Sequence, residues 1–237
     1  MDLTFRQRLT FAAHLWKAAT RQHHREFLPL LRQYVPADAV VADVGGHSGQ
    51  FAKLFAGMAP RGHVYSFEPG DYARAILARV VRWRRLNNVE ILPFGLSDTA
   101  GEAHLSVPIK RSGSFGFGLS HLGADAGGRA VRTETIRLET LDGFAAARNL
   151  ARLDFLKADI EGWEMRLLAG GQNTIARFRP AIMVELVGAH LARAGDRPDS
   201  VWQALGAIGY RSYRLDGTTP AVVDGFSKDS DYLFVPN

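Results

Sequence analysis

The sequence predicts an α/β fold, and three observations carry the prediction. Residues 40–55, VVADVGGHSGQFAKLF, read as a short apolar strand, a turn containing Gly45, Gly46 and Gly49, and a helix opening near Ser48 with Phe51, Leu54 and Phe55 on one face. A second strand, HVYSFE, follows and ends on the acid Glu68. Further apolar runs then alternate with helical periodicities to the end of the chain. Strand, glycine turn, helix, strand and acid form the opening of a Rossmann-like nucleotide-binding unit.

Taken in order, residues 4–34 read as helix. Phe5, Leu9, Ala12, Trp16 and Ala19 recur at helical spacing, and Phe27, Leu30, Leu31 and Tyr34 repeat the pattern. The polar face carries Arg6, Arg8, Lys17, Arg21 and Arg25, so a helix lying on a membrane surface is conceivable; a lid or flank packed on the following domain is the preferred reading. His23 and His24 are expected to face solvent, and as adjacent residues on a helix they make a poor metal pair. Val35-Pro36 ends the segment, because proline disfavours helix in the residue before it. The chain therefore divides into an N-terminal helical extension, 1–34, and a Rossmann-like domain, 35–237.

Within that domain the first strand is expected at about 39–44 and its helix at about 48–58. A turn at Pro60-Arg61-Gly62 leads to the second strand, about 63–67, and residues 71–86 form the second helix with Ile76, Leu77, Val80 and Val81 inward. VEILPFGLSD supplies a third strand, and EAHLSVPI and VRTETIRLETL alternate as strands do. Between them, residues 111–130 hold six glycines together with Phe115, Phe117 and His121, which suggests a loop serving as a substrate lid. LDFLKADIEG gives the fourth core strand, with helix at about 163–170, and RPAIMVELVG gives the fifth. Asp199 to Ile208 reads as helix stopped by Gly209, before two final strands, YRSYRL and DYLFVP.

At 237 residues the chain can bury the core of one large domain. The absence of cysteine excludes disulfides, thiol nucleophiles and thiolate metal sites and suits a cytoplasmic protein. The N-terminus lacks the features of a secretory signal, and no run is long enough for a membrane span. A formal charge of +5 and a pI near 9.7 invite a nucleic-acid reading. The arginines are scattered, however, and the dense run 79–85, RVVRWRR, suits a solvated helix face better.

In an open α/β sheet, ligands bind beyond the carboxyl ends of the strands. Those ends carry Asp43, Glu68, Asp159, Glu161 and Glu185, and such a set repels itself unless cations or hydrogen-bond donors share the site. A dinucleotide would place its pyrophosphate at the first helix N-terminus, where Asp43 opposes it. S-adenosylmethionine carries no phosphate. It offers a carboxylate to the turn amides, an ammonium and a sulfonium to acids, and a ribose diol to Glu68, so the residues favour a methyl donor.

The chain also resembles the FkbM-type S-adenosylmethionine-dependent methyltransferases. DVGGHSGQF is similar to that family's D-V-G-A-N-x-G-x-F motif. The likeness continues through FEP (67–69), LSD (96–98), TLD (140–142), DFLKADIEGWEMRLLAG (154–170), PAIMVEL (180–186) and YLFVP (232–236). Gly46 and His47 stand where the family often has Ala and Asn, and 111–130 matches none of its motifs. The resemblance implies a class I methyltransferase fold, with a mostly parallel seven-stranded sheet flanked by helices, and O-methylation of a sugar, polyketide or other secondary metabolite.

Residue roles follow as expectations. Gly45, Gly46, His47, Ser48 and Gly49 hold the methionine end of the donor, and Asp43 is a further donor-binding residue. Glu68 takes the ribose, with Pro69 stiffening its turn, and Leu96 and Ser97 lie near adenine. Asp159 and Glu161 share a side if the strand continues through them; with Glu185 they face the methyl group, and Asp159 also touches the donor. Three oxygen ligands would suit magnesium, but carboxylate groups of this kind occur at many sites without metal, and the metal-free reading is preferred. Each residue also has a plainer reading. Asp159 could cap the following helix, Glu185 could pair with Arg179 or Arg193, and Lys157 could simply neutralise Asp159. His121 and His190 are candidate bases or surface residues, and Trp163 is core or pocket wall. Two alternatives stay open: a nicotinamide-dependent oxidoreductase, and a non-catalytic or RNA-binding relative.

Overall fold

The computed structural model describes residues 4–108, 121–122, 131–215 and 220–237. Helix α1, Phe5–Thr20, opens on a capping box in which the Thr4 hydroxyl accepts from Gln7 N and the Gln7 side chain accepts from Thr4 N. The expected single helix over 4–34 is not formed. The chain breaks after Arg21, His24 adopts a left-handed conformation (φ 62°), and a 3-10 turn, Arg25–Phe27, leads into the short α2, Leu28–Leu31. A straight helix of that length would extend about 45 Å and could not seat both ends on one domain. The break lets Phe27 and Leu31 turn onto the sheet.

The break is held from outside. The buried Lys53 ammonium donates to Ala18 O (2.5 Å) and Arg21 O (2.7 Å), satisfying carbonyls at the end of α1. Gln50 accepts from His23 N (3.1 Å) through its side chain and from Gln22 Nε2 (3.0 Å) through its carbonyl. The buried face of α1 also differs from expectation. Ala18 and Ala19 are buried and Phe11 and Leu15 pack beside them, whereas Phe5, Leu9 and Trp16 are exposed. The helix carries two apolar stripes, and the one with small residues approaches its neighbours more closely.

The domain proper runs β1 (Val40–Val44), α3 (Gln50–Met58), β2 (His63–Phe67), α4 (Asp71–Arg84), β3 (Val89–Leu92), β4 (Gly95–Leu96), β5 (Gly101–Pro108), β6 (His121–Leu122), β7 (Val131–Glu139), α5 (Leu141–Ala147) and β8 (Phe155–Ala158). It continues through α6 (Glu164–Ala169), α7 (Gln172–Phe178), β9 (Ala181–Leu186), α8 (Gly188–Ala194), α9 (Pro198–Ala207), β10 (Tyr210–Arg214), β11 (Ala221–Val223) and β12 (Ser230–Pro236). The helices α5, α7 and α8 and the strand β11 were not anticipated, because each is too short for its periodicity to stand out.

The main sheet has eight strands in the order β11-β10-β12-β9-β8-β1-β2-β3, not seven. The neighbours from β9 to β3 pair in parallel, while β12, β10 and β11 join antiparallel. The fold is Rossmann-like, with a mixed sheet. EAHLSVPI and VRTETIRLETL leave this sheet altogether. As β5 and β7 they form a second sheet, β4-β7-β5-β6, whose alternation buries Leu105, Val107, Ile136 and Leu138 on one face. Most of the segment expected to be a lid, 111–130, lies outside the described residues.

Alternation along the central strands sends successive side chains to two cores. Val41, Phe155, Met183 and Leu233 meet Leu31, Leu54 and Phe55 on one side. Ala42, Val44, Leu156, Ile182 and Phe234 meet Leu141, Phe144, Leu167, Ile175 and Leu205 on the other. Among the described residues no helix is long and apolar enough to cross a membrane.

Because Lys53 joins α3 to the end of α1, Lys53→Met should leave two carbonyls without their charged donor. The expected cost is about 1–3 kcal/mol in urea unfolding, with earlier proteolytic cleavage near residues 21–24.

Candidate active site

The turn between β1 and α3 is built so that backbone, not side chains, faces the carboxyl edge of the sheet. Gly45 (φ 80°) sits so close to β8 that a Cβ there would lie 2.0 Å from Asp159 O. Gly45 N and Gly46 N both donate to Phe67 O (3.0 and 2.9 Å), which ties the turn to the end of β2. Beside it Glu68 accepts from His47 N through Oε2 (2.7 Å) and from Gly70 N through Oε1 (2.8 Å). Burial pushes the Glu68 carboxyl up to about 7, against these two hydrogen bonds.

Beneath the turn runs a row of polar side chains in register across three strands: Ser66, Asp43 and Lys157. Ser66 Oγ donates to Asp43 Oδ2 (2.9 Å), and Lys157 Nζ lies 3.8 Å from Asp43 Oδ1, 3.4 Å from Asp159 Oδ2 and 3.1 Å from Gly45 O. Total burial raises the Asp43 pKa, with Lys157 and Ser66 pulling against it. For Lys157 burial opposes the charge, but Asp159 and Asp43 outweigh it, and its pKa is raised. Burial therefore dominates for the acid and the two acids dominate for the lysine.

At the next level outward stand Asp159 and Glu185, which share a side-chain hydrogen bond. Burial and the Asp159 charge push Glu185 up to about 8, so it keeps its proton. Burial acts against the Asp159 charge too, but Lys157 overrides it and holds that carboxyl low and ionised. Asp231, in register with Glu185 on β12, is pushed up to about 6 by burial and by Asp159. Glu161 follows in a left-handed conformation (φ 57°), with Oε2 2.9 Å from His190 Nδ1, and burial and Asp159 push it up to about 7.

The glycine turn, Glu68, Lys157, Asp159, Glu161 and Glu185 line a cavity of about 350 Å³. Of the expected site residues, Gly45, Gly46, His47, Glu68, Pro69, Leu96, Asp159, Glu161 and Glu185 line it. Asp43, Ser48, Gly49 and Ser97 do not. Asp43 supports Lys157 from below, and Ser97 accepts from Trp163 Nε1 (3.0 Å), holding the indole as a cavity wall. The helix following β8 is not capped by Asp159. Its N-cap residue, Trp163, makes no side-chain cap, and Glu164 instead accepts from Ile160 N and Gly162 N, fixing the turn that leads into the helix. Glu185 meets Asp159 rather than Arg179, which donates to the carbonyls of Ile208 and Gly209.

Sequence reasoning missed part of the wall. His24, expected in solvent, lines the cavity with its ring 4.6 Å from that of Phe51, and burial lowers its pKa. Tyr72, Leu105, Val107, Ile136 and Leu138 close an apolar side. The alternation of β5 and β7 signalled a buried face but not which ligand-facing surface it would join. His47 is pushed down to about 4 by burial and is neutral at pH 7. Among the described residues no group of three or more His, Asp or Glu side chains is placed to hold a metal ion.

The model of the methyltransferase FkbM domain matches residues 43–212, from the end of β1 through the glycine turn and the acidic edge into β10. The chain belongs to the FkbM methyltransferase family. It carries an S-adenosylmethionine-dependent methyltransferase domain, and the nicotinamide reading falls. This FkbM domain is 24% identical over 164 residues to the 2-O-methyltransferase NoeI of Sinorhizobium fredii, covering 66% of this chain and 65% of that one. It is 27% identical over 233 residues to the AMB antimetabolite synthetase AmbE of Pseudomonas aeruginosa, covering 85% of this chain but 11% of the synthetase. The chain thus spans less than two thirds of either protein. The crystal structure of the FkbM methyltransferase from Methylobacillus flagellatus shares the fold, with a TM-score of 0.51 and 14% identity, covering 95% of this chain and 59% of that one.

The site residues fit the donor. Gly45 has no room for a Cβ beside Asp159, so bare backbone lines the cavity there, and Glu68 presents a buried carboxyl at the end of β2. Gly45→Ala is expected to abolish donor binding in calorimetric titration, since a methyl group 2.0 Å from Asp159 O must displace backbone.

The four raised glutamates make a second prediction. Glu68, Glu161 and Glu164 at about 7 and Glu185 at about 8 all lie above the ordinary 4.5. Folded protein therefore holds more protons than unfolded protein between those values. This stability is complete below about pH 4.5 and is lost as pH rises through about 7–8. The melting temperature of ligand-free protein should fall between about pH 5 and 8, and calorimetry on Glu164→Gln should show a flatter decline.

Proposed function

We propose that this domain O-methylates a hydroxyl of a small polar acceptor, a sugar, polyketide or other secondary metabolite, without a metal ion. The observation that carries the reading is the acidic edge beyond the glycine turn. There an ionised Asp159, a protonated Glu185 and a Glu161 with a pKa near 7 line one cavity. When bound, S-adenosylmethionine supplies an electrophilic methyl group on a sulfonium.

Gly45, Gly46 and His47 would hold the methionine end of the donor, Glu68 the ribose, and Leu96 with Pro69 and Trp163 the adenine. Asp43, Ser48, Gly49 and Ser97 act from behind by fixing Lys157, the turn and the indole. Lys157 takes the place a divalent cation would fill, because its ammonium sits among the acids and keeps Asp159 ionised.

Asp159 and Glu185, joined by the proton between them, present their remaining carboxyl oxygens as hydrogen-bond acceptors to an acceptor hydroxyl, which orients it. An alcohol must lose its proton as its oxygen attacks, and a base is most effective with a pKa near the working pH. Glu161 meets that condition, and His190 holds its carboxylate from behind. The apolar wall of Leu105, Ile136 and Leu138 keeps water from the reacting groups. Similarity to the 2-O-methyltransferase NoeI of Sinorhizobium fredii supports a hydroxyl as the methyl acceptor.

Calorimetric titration should show binding of S-adenosylmethionine and none of NADH, and a panel of sugars and hydroxylated metabolites should yield a methyl ether. Glu161→Gln should lower kcat by about 10²-fold, leave donor affinity intact and remove the pH limb near 7. Unchanged activity in that variant would exclude Glu161 as the base. Glu68→Ala should weaken donor binding by about tenfold or more, in line with two lost charge-assisted hydrogen bonds.

A further inference from the structure

We propose that the outward face of α1, with Trp83 of α4, docks this domain on an anionic lipid surface. The stripe that the fold leaves in solvent is large and aromatic: Phe5 is 78% exposed, Leu9 58%, Trp16 63% and Trp83 51%. Phe5, Leu9 and Trp16 follow helical spacing on the side of α1 away from Ala18 and Leu15, and the Trp16 and Trp83 rings meet at 5.7 Å. Two large indoles held together in water, beside a leucine and a phenylalanine, form an apolar patch that calls for a partner.

Charge identifies the partner. Helix α1 contains Arg6, Arg8 and Lys17 and no acidic residue, and Arg6 and Lys17 flank the apolar stripe on one edge. Helix α4 adds Arg79, Arg82 and Arg84, all exposed, and its one acid, Asp71, pairs with Arg74. An apolar stripe flanked by cations is the pattern of a helix lying in a membrane interface, with its aromatic rings at headgroup depth. A second copy of this chain would bring the same cations against themselves. A nucleic acid would meet the arginines but would leave Phe5 and Leu9 without an apolar phase. The opposite face of α1 reaches the cavity wall, where His14 Nδ1 lies 3.0 Å from the hydroxyl of the cavity-lining Tyr72.

The test is sedimentation of the full chain with vesicles of phosphatidylcholine containing about 30% phosphatidylglycerol, and with phosphatidylcholine alone. Expected are binding to the anionic vesicles at least tenfold tighter than to the neutral ones, a blue shift of tryptophan emission, and weakening at high salt. Leu9→Glu with Trp16→Glu should abolish binding, and Arg6→Glu with Lys17→Glu should weaken it at least tenfold. Both pairs change exposed side chains, and unaltered donor affinity verifies their fold. Failure to sediment with anionic vesicles overturns the proposal, as does binding that survives both pairs of substitutions. A dimer that the Leu9 and Trp16 changes dissociate, or retention by RNA without vesicle binding, likewise overturns it in favour of those partners. Vesicle binding is read without methyl transfer, so its failure leaves the catalytic reading untouched.

Discussion

The site depends on one buried ammonium. Lys157 sits at the centre of the sheet with almost no access to solvent, and its three nearest polar neighbours are Asp43, Asp159 and the carbonyl of Gly45. A lone lysine there would give up its proton, and two buried acids without it would take one up. Together they fix a charge pattern. Asp43 anchors the lysine from below, the lysine holds Asp159 ionised at the cavity, and the ionised Asp159 keeps Glu185 protonated beside it. The same ammonium fastens the glycine turn to the strand end. The backbone of the turn and the acids that line the cavity are thereby set by one group.

A second constraint links this centre to the N-terminal segment. Lys53 and Gln50 lie on α3, which leads out of the glycine turn, and both bind the chain between Ala18 and His23. That grip places His24 against Phe51, whose ring also lies 4.9 Å from the Lys157 ammonium. The extension is therefore part of the cavity wall rather than an appendage. The same clamp turns one stripe of α1 onto α4 and the second sheet, and leaves the other in solvent.

Legibility followed the length scale of the interactions. The glycine turn was readable because Gly45 and Gly49 adopt left-handed backbone and must be glycine at close approach. Glu68, Asp159, Glu161 and Glu185 were readable because strand ends in such a sheet converge. Asp43 was placed at the right strand end, but its role depends on the row Ser66, Asp43, Lys157, which exists only once three distant segments pair in register. The outward stripe of α1 was misread for a related reason. Phe5, Leu9 and Trp16 repeat as well as Phe11, Leu15 and Ala18 do, and periodicity cannot tell which stripe meets a partner with matching shape.

By itself the sequence determined the core parallel strands and the longer helices between them, the glycine turn, and the set of acids at the carboxyl edge, because these rest on local backbone chemistry and on side-chain alternation. Only the tertiary structure decided which acids carry protons, that β5 and β7 leave the main sheet to wall the cavity, and that His24 reaches it. Those outcomes depend on burial and on charges brought together from segments more than a hundred residues apart, such as Asp43 and Lys157. The electrostatic energy of such a pair is a property of their separation in space and of the water excluded between them.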